Sequence, residues 1–146
     1  MHKIYVASGW FNEVQANDLA IIETMLDAYA IPYYSPRKEC IVNPTASLEA
    51  RSECYNANIL AIDDAEIVFV NTRDKDMGTL FEAGMAAAWG KDIVYIGFGL
   101  SGKFNLMLAQ SGKRLCTTIT ELRDVVEEIK VHGKLTTVGT YKGVIE

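Results

Sequence analysis

Apolar and polar positions follow two rhythms along this chain, and the rhythms take turns. Residues 3–7, KIYVA, are a short β-favouring run closed by Ser8-Gly9, which predicts a first strand. Leu19, Ile22, Met25, Leu26 and Tyr29 then recur at spacings of three and four, the inward face of a helix that Asn12 or Asn17 can cap and that Pro32 ends. Residues 33–35 read as a second strand, and residues 36–45, with mixed charge, Cys40 and Pro44, as a loop. A helix over 49–63, entered from Ser47, carries Leu48, Tyr55, Ile59 and Ile62 along it. Residues 67–70, IVFV, form an unbroken apolar run of the kind found in a strand buried on both faces, and residues 92–97, DIVYIG, read as another buried strand. Residues 104–110 predict a short helix, 115–119 a weak last strand, and 121–130 a helix that Thr120 can cap, with Leu122, Val125, Val126 and Ile129 inward. The tail, residues 131–146, has no helical period.

Alternation of strand and helix throughout predicts an α/β fold, doubly wound and flavodoxin- or Rossmann-like, with a parallel five-stranded sheet flanked by helices. Ligands of such sheets sit beyond the carboxyl ends of the strands. The loops after Ala7, Ser35, Val70 and Gly97 are therefore the candidates, and the third opens the most unusual stretch, residues 71–90, NTRDKDMGTLFEAGMAAAWG. From Met77 to Gly90 the sole ionisable side chain is Glu82. A helix begun at Gly78 or Thr79 places Gly78, Glu82, Met85, Ala86 and Trp89 on one face, so the carboxylate shares its face with small and apolar groups. Leaving it uncompensated there costs several kcal/mol, so it either finds hydrogen-bond donors or opens onto a ligand pocket. A place near the helix N-terminus favours its ionised form.

Composition narrows the chemistry. At 146 residues, 49% hydrophobic and 23% charged, the chain has the size of one domain, 1–146, with a real core. A net charge of −5 with no basic run argues against a nucleic-acid polymer or an anionic membrane and for a small polar ligand. Cys40, Cys54 and Cys116 are widely spaced, and neither His2 nor His132 has clustered partners, so no metal site and no cofactor are expected; the cysteines read as reduced, in a cytoplasmic protein. The opening MHKIYVAS has too short an apolar run for a signal peptide. The stretch GFGLSG, residues 97–102, matches a dinucleotide-binding glycine pattern, but it follows the fourth strand and leaves too little chain for such a domain; it reads as a turn.

Five segments in order resemble the nucleoside 2-deoxyribosyltransferase family. IYVASGWFNEVQ from Ile4 is similar to that family's first strand and GWF segment, and YNANILAIDDAEIVFV from Tyr55 continues the match. DMGTLFEAGMA from Asp76 resembles the block that holds the family's nucleophilic Glu, FNLM from Phe104 its NLM segment, and YKGVIE its tail. The resemblance implies transfer of a 2-deoxyribosyl group between nucleobases, by retaining double displacement through a deoxyribosyl ester on Glu82. It implies that Asp76 protonates or hydrogen-bonds the leaving base, that Tyr5 orients the nucleophile, and that Trp10 and Phe11 stack on the base. Glu66, Gly78, Asn105 and Met107 complete the implied substrate contacts, with Asn105 reaching in from a neighbouring subunit of a dimer or hexamer and the tail folding toward the active site. The family's second-loop Gln has no counterpart in Arg37-Lys38-Glu39-Cys40, and Glu146 stands where relatives end in Tyr. Two other readings stand beside this one: a 2′-deoxynucleoside 5′-phosphate N-hydrolase, which would want basic residues that Ser8 to Gln15 lack, and a non-catalytic nucleotide-binding module.

Overall fold

The structure, a computed structural model, describes residues 3–146; His2, read above as having no clustered partners, lies outside the described residues. Five strands, β1 (Ile4–Ala7), β2 (Tyr33–Tyr34), β3 (Ile67–Asn71), β4 (Asp92–Ile96) and β5 (Arg114–Cys116), form one all-parallel sheet in the order β2-β1-β3-β4-β5. Helices α1 (Glu13–Ala28), α2 (Pro36–Glu39), α3 (Leu48–Asp64), α4 (Met77–Ala88), α5 (Leu106–Ser111) and α6 (Ile119–His132) connect them. The strand order reverses between β1 and β3, which opens a crevice at the carboxyl ends of those two strands.

Side-chain alternation divides the core in two. Ile4, Val6, Ile67, Phe69, Val94 and Ile96 face α1 and α6, whose Leu19, Ile22, Leu26, Leu122, Val125 and Val126 close over them. Tyr5, Ala7, Val68, Val70, Ile93 and Tyr95 face the other way, toward Ala61 and Ile62 of α3 and Ala83 and Ala86 of α4. Phe69, fully buried in the first layer, contributes about 1.5–3 kcal/mol by burial. In the second layer α4 turns Thr79, Ala83 and Ala86 inward; these small side chains let the helix lie close to the sheet. The period of two in β1 therefore sends Tyr5, and not Ile4 or Val6, toward the helix that carries Glu82.

Several boundaries differ from expectation. Residues 36–39, read as loop, form the short α2, with Pro36 in the first helical turn where its missing N–H costs nothing. α4 begins at Met77 because the Asp76 carboxylate, a stronger cap than Thr79, accepts from Thr79 N at 3.0 Å. α6 is capped by Thr118 rather than Thr120: Thr118 Oγ1 accepts from Glu121 N at 3.1 Å while Glu121 turns back to Thr117 N, a reciprocal arrangement legible in Thr-x-x-Glu.

The reduced state expected of all three cysteines is corrected for two of them. Cys40 and Cys54 pair as a disulfide, Cα to Cα 5.7 Å, which ties the segment after α2 to α3; Cys116 is free and buried, and burial pushes its thiol up to about 12. Closing a loop of that size stabilises by about 3 kcal/mol through the unfolded chain. Thiol titration of the denatured protein should therefore find one reactive cysteine before reduction and three after it. Three before reduction would show that the pair is open in solution.

Candidate active site

Three loops and two helices meet at the crevice between β1 and β3. After β1 come Ser8, Trp10 and Phe11; Pro36 follows β2; Asp76 follows β3. Tyr55, Asn58 and Ile59 of α3 and Gly78, Thr79, Phe81 and Glu82 of α4 complete a cavity of about 330 Å³. Its aromatic character is strong. Trp10 and Phe11 stack at 5.1 Å, and Tyr55 and Phe81 form a second, tilted pair at 6.3 Å. Planar apolar walls of this kind suit a flat ring.

Glu82 opens onto this cavity, and the Tyr5 hydroxyl donates to its Oε2. Both alternatives read from the sequence hold at once: the carboxylate has a donor and a pocket. Burial pushes the carboxyl up to about 8 from an ordinary value of 4.5. This corrects the expectation that the helix N-terminus favours the ionised form. Glu82 is the sixth residue of α4, and the helix-end field fades beyond the first turn, so desolvation wins.

Asp76 has two roles in one side chain. Its Oδ2 accepts from Thr79 N at 3.0 Å and Thr79 Oγ1 at 2.8 Å, capping α4, and the residue lines the cavity beside Glu82. The turn before it is strained: Asp74 and Lys75 have φ of 61° and 53°, the left-handed region that non-glycine residues seldom enter. A polar cluster under the turn holds it there. Arg73 donates from Nε to Asp18 Oδ2 at 2.7 Å and from Nη2 to Oδ1 at 3.1 Å, Asn71 Nδ2 donates to Ser8 Oγ at 3.1 Å, and Asn12 Nδ2 donates to Asp74 Oδ2 at 2.8 Å. Asp18 is 3% exposed, and Asn71 Nδ2 also donates to its Oδ2 at 3.4 Å, so the buried carboxylate is satisfied from two sides. Sequence reasoning passed over this cluster; its signal was an Asp next to Leu19 on the apolar face of α1. Gly9 permits the close approach of the first loop, since a Cβ there would meet Gln15 Oε1 at 2.7 Å and Asp76 Cγ at 3.1 Å.

Of the residues singled out in the sequence, Glu82, Asp76, Trp10, Phe11 and Gly78 line the cavity and Tyr5 reaches it through Glu82. Glu66 does not join them. It sits just before β3, at the amino end of the sheet, and pairs with Lys3 at 2.8 Å, so its assignment to the substrate is corrected: the strand between it and the crevice runs the wrong way. Asn105 caps α5, its Oδ1 accepting from Met107 N at 2.9 Å, and it lines a separate cavity with Thr72, Lys75 and Glu146; Met107 is 73% exposed. The tail pairs with the segment before α5, with Phe104 N donating to Val144 O at 2.9 Å and Glu146 N to Phe104 O at 3.0 Å. Within one chain neither Asn105 nor the tail touches the Glu82 cavity. Among the described residues, no group of His, Cys, Asp and Glu is placed to hold a metal ion, and no helix is long and apolar enough to cross a membrane.

At the topological switch point of this α/β fold, a half-buried carboxylate, its tyrosine donor and a second acid therefore share a cavity with aromatic walls. The sequence model of the nucleoside 2-deoxyribosyltransferase family matches residues 4–116, and the chain belongs to that family. A 2-deoxyribosyltransferase from the psychrotolerant bacterium Bacillus psychrosaccharolyticus shares the fold at a TM-score of 0.80 and 22% identity, over 95% of this chain and 98% of that one. A conserved protein from Enterococcus faecalis V583 superposes at 0.69 with 17% identity, over 88% and 98% of the two chains. The CMP N-glycosidase BcmB of Clostridium botulinum superposes at 0.58 with 13% identity, over 85% and 97%. A comparison with curated proteins finds no match.

Proposed function

We propose that the protein exchanges nucleobases on 2-deoxyribose, with residues 1–146 acting as one catalytic domain. The observation that carries this reading is the Glu82 carboxylate, half-buried, held by Tyr5 and open to an aromatic cavity that also contains Asp76. In the first half-reaction Glu82, having released its proton to solvent, forms a bond from a carboxylate oxygen to C1′ while the C1′–N bond to the base breaks, and Asp76 gives a proton or a hydrogen bond to the departing base. In the second, a nitrogen of the incoming base attacks C1′ from the face the first base left, the ester bond breaks, and the proton returns to Asp76. Two displacements retain configuration. A base stacked among Trp10, Phe11, Tyr55 and Phe81 excludes water from C1′, so transfer outruns hydrolysis.

Assembly belongs to the same reading. Asn105 and Met107 reach the sugar from a neighbouring subunit of a homo-oligomer, with the tail bracing the segment that carries them. The large exposed side chains between α3 and α5, Leu60, Met77, Trp89 and Met107, support such an interface.

Within one chain no Lys or Arg lines the Glu82 cavity among the described residues, which favours nucleosides over their 5′-phosphates as donors even though Lys75 and Lys103 accompany Asn105 in its own cavity. Deoxyinosine, inosine and deoxyinosine monophosphate are offered in turn, each with uracil as acceptor. Deoxyinosine should be the best donor, giving deoxyuridine. Inosine should be poor, because its 2′-hydroxyl crowds Glu82 and withdraws electrons from the developing cation. If the monophosphate is consumed fastest, with sugar phosphate accumulating and no exchanged product, the N-hydrolase reading replaces this one.

A further inference from the structure

The side-chain hydroxyl donors that line the Glu82 cavity are already committed. Ser8 Oγ donates to Gly9 O at 2.8 Å and accepts from Asn71. Thr79 Oγ1 donates to Asp76, and Glu82 Oε2 accepts from Tyr5. Arg37, in the segment where the family's base-contacting Gln has no counterpart, is turned away to the buried carboxylate of Glu23. Asn58 of α3 differs from all of these. Its Oδ1 accepts from the Tyr34 hydroxyl at 2.9 Å, which leaves the two N–H donors of its Nδ2 for whatever enters the cavity.

The position of that amide follows from the sheet. Tyr5 and Tyr34 are register partners on the parallel strands β1 and β2, and their rings stack at 5.5 Å with planes 11° apart. Side chains paired this way leave the sheet in the same direction. The Tyr5 hydroxyl ends on Glu82 and the Tyr34 hydroxyl ends on Asn58, so two neighbouring strands hold the carboxylate and the amide at separate points of one cavity. The glycosidic nitrogen must lie at the carbon Glu82 attacks, so a base in this cavity turns toward Asn58 an edge away from that nitrogen.

We infer that Asn58 reads the far edge of the base as a hydrogen-bond donor, and that Tyr34 is the positioning residue that holds the amide in this orientation. The inference rests on the base-exchange reading and names its substrates: bases with a carbonyl at that edge, the 6-oxopurines and 4-oxopyrimidines, are preferred over adenine and cytosine, which present an amino group there. An amino group opposite the Asn58 amide leaves two donors facing each other with no acceptor between them, and a site built around a hydrogen bond discriminates strongly against the mismatched partner.

The test compares binding of hypoxanthine with adenine, and of uracil with cytosine, to the resting protein by calorimetry. The wild type should bind each oxo base at least about tenfold more tightly, one hydrogen bond's worth of discrimination. Asn58→Asp keeps the acceptor for Tyr34 and replaces the donor by a second acceptor, so its preference should invert toward adenine and cytosine. Tyr34→Phe frees the amide to turn over, and the ratio should fall toward one while binding of the better base weakens only a few-fold. Thermal melts establish that both variants are folded. Equal affinities in the wild type, or an unchanged ratio in folded Asn58→Asp, would overturn the inference. Binding is read without turnover, so this result stands apart from whether deoxyribose is transferred; failure of exchange with tight, selective base binding would count against the proposed function alone.

Discussion

Glu82→Gln should lose at least about 10³-fold in base exchange and, at the same time, make the protein more stable. The amide keeps the shape and can still accept from Tyr5, but it has no anionic oxygen to attack C1′. Stability follows from the raised carboxyl. In the folded protein Glu82 titrates at about 8 against an ordinary 4.5, so between those values the unfolded chain releases a proton that the folded chain retains. The side chain's contribution is complete at low pH and is lost as pH rises from about 4.5 to about 8, reaching on the order of a few kcal/mol. Gln does not titrate. The variant's melting advantage should therefore grow across that window and level off above it, whereas wild-type kcat/KM should climb as pH rises through about 8 and the nucleophile ionises. Mass spectrometry of wild type mixed with donor alone should locate a deoxyribosyl adduct on the peptide containing Glu82. Near-normal turnover by the variant, or an adduct elsewhere, would remove Glu82 from the mechanism; a melting difference flat in pH would show that its carboxyl is not held protonated.

Asp76 permits a cleaner separation of structure from chemistry, because its carboxylate both caps α4 and lines the cavity. Asn is as good a cap as Asp, so Asp76→Asn should change stability by less than about 0.5 kcal/mol while losing about 10²–10⁴-fold in kcat through its missing proton. Asp76→Ala should lose the same activity and about 1 kcal/mol of stability as well. The loss in Asp76→Asn should shrink for nucleosides whose base leaves readily without protonation. Equal activity of the Asp76→Asn variant and the wild type on all donors would reduce Asp76 to a cap.

The architecture was legible because it depends on local periodicity. Continuous apolar runs at 67–70 and 92–97 and the three-and-four spacing in α1 and α6 each state their own structure, and their alternation admits little but a parallel doubly wound sheet. Short elements escaped for the complementary reason. α2 has four residues, too few for a period, and the start of α4 turned on which of two neighbouring side chains, Asp76 or Thr79, accepts the hydrogen bond.

The candidate site divides along the same line. Glu82 stood out in the sequence by itself, since a lone carboxylate in fourteen residues of small and apolar side chains needs an explanation wherever the helix goes. Its partners were another matter. That Tyr5 meets Glu82, 77 positions away, depends on the sheet placing β1 beneath α4, whereas Glu66 immediately precedes a strand already legible at 67–70 and so belongs to the amino end of the sheet, away from the crevice. The Cys40–Cys54 pair, the Arg73–Asp18 clamp beneath the strained turn and the Asn58 amide all join residues from different elements. Sequence by itself determined the longer elements and singled out Glu82, whose chemistry conflicts with its neighbourhood. Only the tertiary structure decided which groups relieve that conflict, because desolvation and hydrogen bonding depend on distances that the folded sheet creates.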